Sequence, residues 1–171
     1  VVPITGSADR PVLNGTGPAI EYAVKMRRFP QACLLDQVLL RGELTPETID
    51  TIARKIADFH GRTAVADNRS PFGVPERTHL PMVENFAQIR PRLRNKEDPI
   101  RLDELERWSE QEYLARCDAL AVRKARGFVR ECHGDLHLGN MALLDGEAVP
   151  FDCIEFSDNL RWIDVLSEVA F

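Results

Sequence analysis

The segment His133-Gly134-Asp135-Leu136-His137-Leu138-Gly139-Asn140 is followed, after a short apolar run, by Asp152. It sets a carboxylate at position 135, a carboxamide five residues on, and a second carboxylate twelve residues beyond that. Transfer of a phosphoryl group to a hydroxyl needs these three groups. One Asp takes the proton of the attacking hydroxyl, while an Asn and another Asp hold the magnesium ions that neutralise the phosphates of ATP.

The surroundings suit that chemistry. Phe128 to Cys132 reads as a brief strand leading into the segment. Met141 to Leu144 and Ala148 to Phe151 read as the arms of a hairpin turned by Asp145-Gly146. Asp135 then lies on a loop held by rigid elements, where catalytic groups tend to sit. Gly134 permits an unusual backbone angle beside it, and Gly139 could do the same beside Asn140. The hairpin returns the chain so that Asp152 can face Asn140, and two oxygen ligands suit magnesium. An isolated Asp-x-x-x-x-Asn is also what a surface loop with turn-capping residues looks like. The ordered addition of His133, Gly134, the hairpin and Asp152 selects the phosphotransfer reading. A zinc site from Cys132, His133, His137 and Cys153 is the competing use of the same residues. Against it, alternate ligands on a strand point apart.

The rest of the chain bounds the answer. It has 171 residues, enough for one sizeable core or two small lobes. Apolar residues make up 44% and charged residues 29%, as in an ordinary globular protein. The formal net charge of -5 argues against a general affinity for nucleic acid or an anionic membrane surface. The basic clusters Lys25-Met26-Arg27-Arg28 and Arg90 to Lys96 read as solvated faces or phosphate contacts. Cys33, Cys117, Cys132 and Cys153 are scattered, without a C-x-x-C pair, and free thiols suit a reducing cytosol. No apolar run approaches the roughly 20 residues of a membrane span, so a cytoplasmic protein is expected. The chain opens on Val1 and closes on Phe171 inside a helical pattern, so a fragment cut at both ends is expected.

Two strands are expected in the first 28 residues: Val1 to Thr5, with Pro3 at an edge or strand start, and Ala19 to Met26. A polar turn from Gly6 to Gly17 separates them. Pro30 opens a helical stretch to about Leu40, closed by Gly42. Thr45-Pro46-Glu47 starts a helix that buries Ile49, Ile52, Ala53, Ile56 and Phe59, with His60 at its end. Residues 64–81 read as loop, Met82 to about Leu93 as a helix, and 95–100 as a polar break. A long amphipathic helix is expected from about Leu102 to Lys124, stopped by Gly127, and a last helix from about Leu160, capped by Asp158 or Asn159. The order of elements reads as α+β.

The string Cys132 to Asn140, with Phe151-Asp152-Cys153-Ile154-Glu155-Phe156 and Arg161-Trp162-Ile163-Asp164, resembles a known family. This is the aminoglycoside phosphotransferase and choline kinase-like branch of the protein-kinase fold, whose catalytic loop is written H-G-D-x-x-x-x-N. It is similar in particular to a bacterial subgroup whose members often carry a P-loop kinase domain after this one. No G-x-x-x-x-G-K-[ST] occurs in the chain, so a covalently fused P-loop partner would lie outside it. The resemblance implies a protein-kinase-like α+β fold. A partial N-terminal β-lobe would span residues 1–28 and a mainly helical lobe residues 29–171, with the catalytic loop at 132–140 and a metal-binding Asp loop at 151–156.

The resemblance also implies roles. Asp135 would be the catalytic base, and Asn140 and Asp152 the magnesium ligands. Lys25 would be the strand lysine on the ATP phosphates, paired with Asp36 or, as runner-up, Glu43. His133 would support the loop. His137 would either support it or approach the phosphates. Asp164, on the final helix, would accept hydrogen bonds from loop amides. Glu155 would either reach the metal or substrate or stay solvated. Two departures matter. The Asp-Phe-Gly metal loop of protein kinases is here Asp152-Cys153-Ile154, and the glycine-rich phosphate loop should precede Val1, with Gly15-x-Gly17 reading only as a turn.

The implied activity is ATP- and Mg2+-dependent transfer of the γ-phosphoryl group to a hydroxyl of a small molecule seated among residues 64–125. One alternative is a nucleotide-binding regulatory or docking module without transfer. Another is an aminoglycoside-modifying kinase. Against the latter, Glu104, Glu106, Glu110 and Glu112 share their helix with Arg101, Arg107 and Arg116, the pattern of a solvated face.

Overall fold

The structure, a computed structural model, describes residues 1–95 and 97–170. Lys96, the last residue of the second basic cluster, and Phe171, the end of the expected final helix, lie outside the described residues. The chain divides into two compact units, Val1–Gln31 and Ala32–Phe171.

The first unit is a three-stranded antiparallel sheet, with β1 (Val2–Ser7) between β2 (Arg10–Leu13) and β3 (Glu21–Ala23). The expected turn over Gly6 to Gly17 therefore contains a strand. Pro11 reads as a breaker in the sequence, yet β2 is an edge strand, where a missing N–H costs no ladder bond. Pro3 lies near the start of the central strand rather than on an edge. β3 is shorter than expected because its pairing ends at Val2↔Ala23, the first residue of β1. Lys25 thus lies two residues past the strand, exposed, and not within it.

The second unit carries the remaining elements. α1 (Leu35–Leu40) follows a 3-10 turn at Gln31–Cys33, and the chain leaves it through Gly42 at φ 70°. α2 (Pro46–Arg62) starts as its sequence dictates: Pro46 takes the first helical position, and the Thr48 amide donates to Thr45 Oγ1 at 3.3 Å. α3 (Pro75–Ile89) begins seven residues before the expected start. Its two prolines suggest a loop, but Pro75 occupies the first turn, where no N–H is needed, and the helix tolerates Pro81 inside it. α4 (Asp98–Ala125) also starts early and ends at Gly127, φ 78°. Its apolar residues are not a buried stripe: Leu105, Trp108 and Leu114 are exposed, and only Leu102 and Lys124 are buried.

β4 (Val129–Glu131) then leads to the hairpin of β5 (Met141–Leu144) and β6 (Glu147–Pro150). Asp145 and Gly146 turn that hairpin at φ 51° and 83°, the positive angles a tight two-residue turn requires. The expected last helix is three pieces: α5 (Asp158–Arg161), β7 (Trp162–Asp164) and α6 (Val165–Ala170). β7 escaped the periodicity because its three residues take their partners from β4, through Val129↔Asp164 to Glu131↔Trp162. The core sits under the hairpin: Leu35 and Val38 of α1, Ile52 of α2, Met141 and Ala148 of the hairpin, and Leu136 from the loop itself.

Candidate active site

Leu136 is buried while Asp135 and His137 on either side of it are partly exposed. The loop is thereby pinned to the core by the residue between its polar groups. Asn140 fixes the acid. Its Nδ2 donates to the Asp135 backbone carbonyl at 3.0 Å and to Asp135 Oδ2 at 2.9 Å. Both neighbours are acceptors, so the amide nitrogen faces them and Asn140 Oδ1 is turned away. Asp135 Oδ1 has no hydrogen-bond partner among the described residues.

The Phe151 amide donates to the Asn140 carbonyl at 3.0 Å, which holds Asp152 one residue beyond the contact. Asp152 is exposed, has no partner among the described residues, and sits at φ 61°. A left-handed conformation at a non-glycine residue is strain, although Asp bears it better than most residues. Side-chain oxygens without partners among the described residues, on Asn140 and on the neighbour of its backbone partner Phe151, are of the hard donor type that suits a magnesium ion. Asn140 and Asp152 would hold it.

His133 commits both ring nitrogens to the loop. Nε2–H donates to the Phe151 carbonyl at 2.8 Å, and Nδ1 accepts from the Asp135 amide at 3.4 Å. The His133 carbonyl takes the Ile154 amide at 2.8 Å. His137 Nδ1 accepts from the Gly139 amide at 3.0 Å, and its Nε2 lies 3.7 Å from Asp135 Oδ2. Gly134 is at φ 86°, and a Cβ there would fall 2.8 Å from the Leu160 carbonyl oxygen, so both angle and space demand glycine.

The acid under the loop differs from the expected one. The Gly134 amide donates to Glu168 Oε1 at 2.8 Å. Asp164 instead ends β7 and binds Arg123 through two bonds of 2.6 and 2.8 Å, plus the Leu166 amide at 2.8 Å. The register of β7 against β4 turns Asp164 toward α4 and leaves the loop amide to α6. Glu168 is 2% exposed, and its other oxygen takes His60 Nε2–H at 2.5 Å. Sequence reasoning missed this pair. Its faint signals were an acid inside the apolar run Val165 to Ala170, and a histidine following Ile52 and Ile56 at four-residue steps.

Cys132 lies beside them, buried, its thiol pushed up to about 12 by burial and then by the Glu168 charge. His60, Cys132 and Glu168 are the metal-capable grouping among the described residues, and Cys132, His133, His137 and Cys153 are not brought together as one. The 2.5 Å His60–Glu168 contact is a hydrogen bond. Two ligands of one tetrahedral zinc would stand about 3.3 Å apart.

Asp36 opens α1 and takes the Gln37 amide at 2.7 Å and the Gln37 side chain at 3.3 Å. Glu43 is held by Arg41 at 2.8 and 2.9 Å. Glu155 is exposed, and Lys25 belongs to the first unit.

Comparison with known proteins matches residues 21–170 to the phosphotransferase enzyme family. The chain belongs to that family. Its members are phosphotransferases of kinase-like type, and the mixed helix-and-strand structure is compatible with a kinase-like fold. An uncharacterized protein of Mycobacterium tuberculosis strain H37Rv is 29% identical over 160 residues, which cover 91% of this chain and 31% of the relative. An uncharacterized protein of Mycobacterium bovis matches with the same identity and coverage. The chain thus spans about a third of the length of these curated relatives. No solved structure matches it. No helix among the described residues is long and apolar enough to cross a membrane.

Proposed function

We propose that this member of the phosphotransferase family carries the catalytic centre of an ATP- and magnesium-dependent enzyme that phosphorylates a hydroxyl of a small molecule. The observation that carries the reading is the asymmetric holding of Asp135. Asn140 fixes one carboxylate oxygen at 2.9 Å, and the other is left without a partner among the described residues. A general base needs that combination of fixed direction and open lone pair.

In this reading Asp135 accepts the proton of the acceptor hydroxyl. Asn140 aims the Asp135 carboxylate with its nitrogen and offers its oxygen to the metal. Asp152 is the second metal ligand, and Glu155 stands near enough in sequence to join it. Magnesium, when bound, bridges phosphate oxygens and offsets the charge that develops there. His133 and Glu168 hold the loop, and His137 lies between Asp135 and the Gly139 amide. Residues 1–28 would be the remaining part of an N-terminal lobe. Lys25 would meet the phosphates, with Asp36 as the acid that steadies it. The protein would work in the cytoplasm. The greater length of the relatives leaves room for a fused P-loop kinase domain.

The test is Asp135→Asn in the full-length protein, with phosphate transfer to a panel of hydroxyl compounds read by mass spectrometry. Loss of the base should lower turnover by roughly 100-fold to 10,000-fold with ATP binding retained. Unchanged turnover sinks the assignment. ATP binding without transfer to any acceptor by the unmodified protein supports a docking module instead.

A further inference from the structure

A cavity of about 540 Å3 opens between α3 and the segment from Ser157 to Ser167. Binding sites for small molecules are typically of roughly this size. Leu160 forms part of its wall, and the Leu160 carbonyl oxygen lies 2.8 Å from where a side chain on Gly134 would begin. The wall therefore abuts the residue next to Asp135. Phe72 and Trp162 line the cavity with their rings stacked, planes 13° apart and centroids 6.0 Å apart.

The polar lining is rich in open hydrogen-bonding groups but close to neutral. Glu84, Asn85, Ser157 and Ser167 have no side-chain partner among the described residues. Asn159 accepts from Arg77 at 3.3 Å, and its amide hydrogens have no partner among the described residues. Asp164 reaches the lining too, but Arg123 neutralises it through two hydrogen bonds. Arg77 and Glu84 then offset each other as the remaining charges.

We propose that this cavity receives an uncharged polyhydroxylated ring, a hexose or cyclitol, as the acceptor. The inference rests on the phosphotransferase reading above and names its substrate class. Hydroxyls both donate and accept, and so match a lining of carboxylate, carboxamide and hydroxyl groups. The C–H face of such a ring carries slight positive charge and meets the negative face of an aromatic ring. A polycation would leave most of its charge unmatched, since Glu84 is the one lining acid without a partner among the described residues. A phosphorylated acceptor would find one cation, Arg77, already bonded to Asn159. An aliphatic acceptor would strip water from open polar groups and return nothing to them.

In the reaction, the ring hydroxyl oxygen bonds to the γ-phosphorus while the bond from that phosphorus to the β–γ bridging oxygen breaks. ADP leaves with the electron pair, and the hydroxyl proton passes to Asp135.

The experiment is binding of D-glucose and myo-inositol to the full-length protein without ATP. Saturation-transfer NMR and calorimetry would read it, with kanamycin as the polycationic rival. At least one neutral ring should bind within roughly 10 mM. Asn159→Ala and Glu84→Gln should each weaken that binding about 10-fold with ATP affinity unchanged. Both residues are exposed, and circular dichroism checks that the variants are folded. Failure of both rings to bind, tighter binding of kanamycin, or indifference to both substitutions overturns the proposal. Ring binding in a protein that transfers no phosphate would instead overturn the phosphotransfer reading and leave the cavity assigned.

Discussion

The two sides of the catalytic loop are built on opposite terms. Beneath it, His60, Cys132, His133 and Glu168 are each at most 8% exposed, and the His and Glu side chains are bonded to one another or to loop backbone. Above it, Asp135, Asn140 and Asp152 keep side-chain oxygen atoms without partners among the described residues, and Asp152 sits in a strained conformation. The underside spends its polar groups on fixing backbone, while the rim holds its own in reserve. The proposed fixing of magnesium and a hydroxyl would need both, because preorganised ligands require rotamers locked from behind.

The sharpest way to break the contrast is to remove an acid from the underside. Glu168→Ala would leave the Gly134 amide and His60 buried without their partner. Losing one member of a buried pair costs about 3–5 kcal/mol, so urea unfolding should reveal a protein near the edge of folding. Glu168→Gln keeps an acceptor for Gly134 and should cost about 1 kcal/mol, while lowering kcat more than it changes KM for ATP. Asp164→Asn is the control. It weakens the Arg123 clasp by roughly 1–2 kcal/mol but touches no loop amide, so kcat should fall less than in Glu168→Gln, and any loss should appear in KM for the acceptor whose proposed cavity Asp164 lines. If Asp164→Asn lowers kcat and Glu168→Gln does not, the loop is held by the acid first expected from the sequence.

That misassignment marks the boundary of what the sequence carried. The rim was legible because its residues are close in sequence: Asp135, Asn140, the Asp145-Gly146 turn and Asp152 fall within eighteen positions. Local rules likewise carried the Thr45-Pro46 helix start and the Gly42 and Gly127 stops. The underside joins positions 60, 134 and 168, more than a hundred residues apart at the extremes, and no local pattern pairs them. β7 and β2 were missed for a related reason. Three- and four-residue strands show too few alternations, and their existence depends on partners elsewhere. Pro75 misled because a proline signals a break by its missing N–H, and the first turn of α3 has no use for that group, whereas Pro81 sits inside the helix, which continues past it to Ile89.

A gentler probe of the underside uses pH. Burial and then Glu168 push the Cys132 thiol up to about 12, from an ordinary value of 9.0. Below pH 9 the thiol is protonated in both folded and unfolded chains and contributes no slope. Between about pH 9 and 12 the unfolded chain releases the proton while the folded one keeps it. The unfolded state then binds fewer protons, so stability falls as pH rises, at roughly 1 kcal/mol per pH unit from this group. Unfolding series at several pH values on the protein and on Cys132→Ala should show that slope removed by the substitution. Cys153, exposed beside Asp152, should meanwhile react with a thiol reagent at pH 8, where Cys132 stays unlabelled until the chain unfolds.

The smallest expected change in stability lies on the rim, and there the sign should reverse. Asp152 adopts φ 61°, an angle that glycine takes without strain. Asp152→Gly relieves that strain, against which stands the greater freedom glycine gives the unfolded chain. The two terms nearly offset, so the folded state should gain at most about 1 kcal/mol. Asp152→Asn, which tolerates the same angle and preserves the shape, should leave stability where it is. Both substitutions remove a carboxylate from the proposed metal site and should raise the magnesium concentration needed for half-maximal transfer. A protein that becomes no less stable while needing more magnesium would show that the strain at Asp152 is kept for the ion and not for the fold. If Asp152→Gly instead destabilises the protein by as much as a substitution at Glu168, then Asp152 belongs with the underside, and the division between the two faces of the loop is wrong.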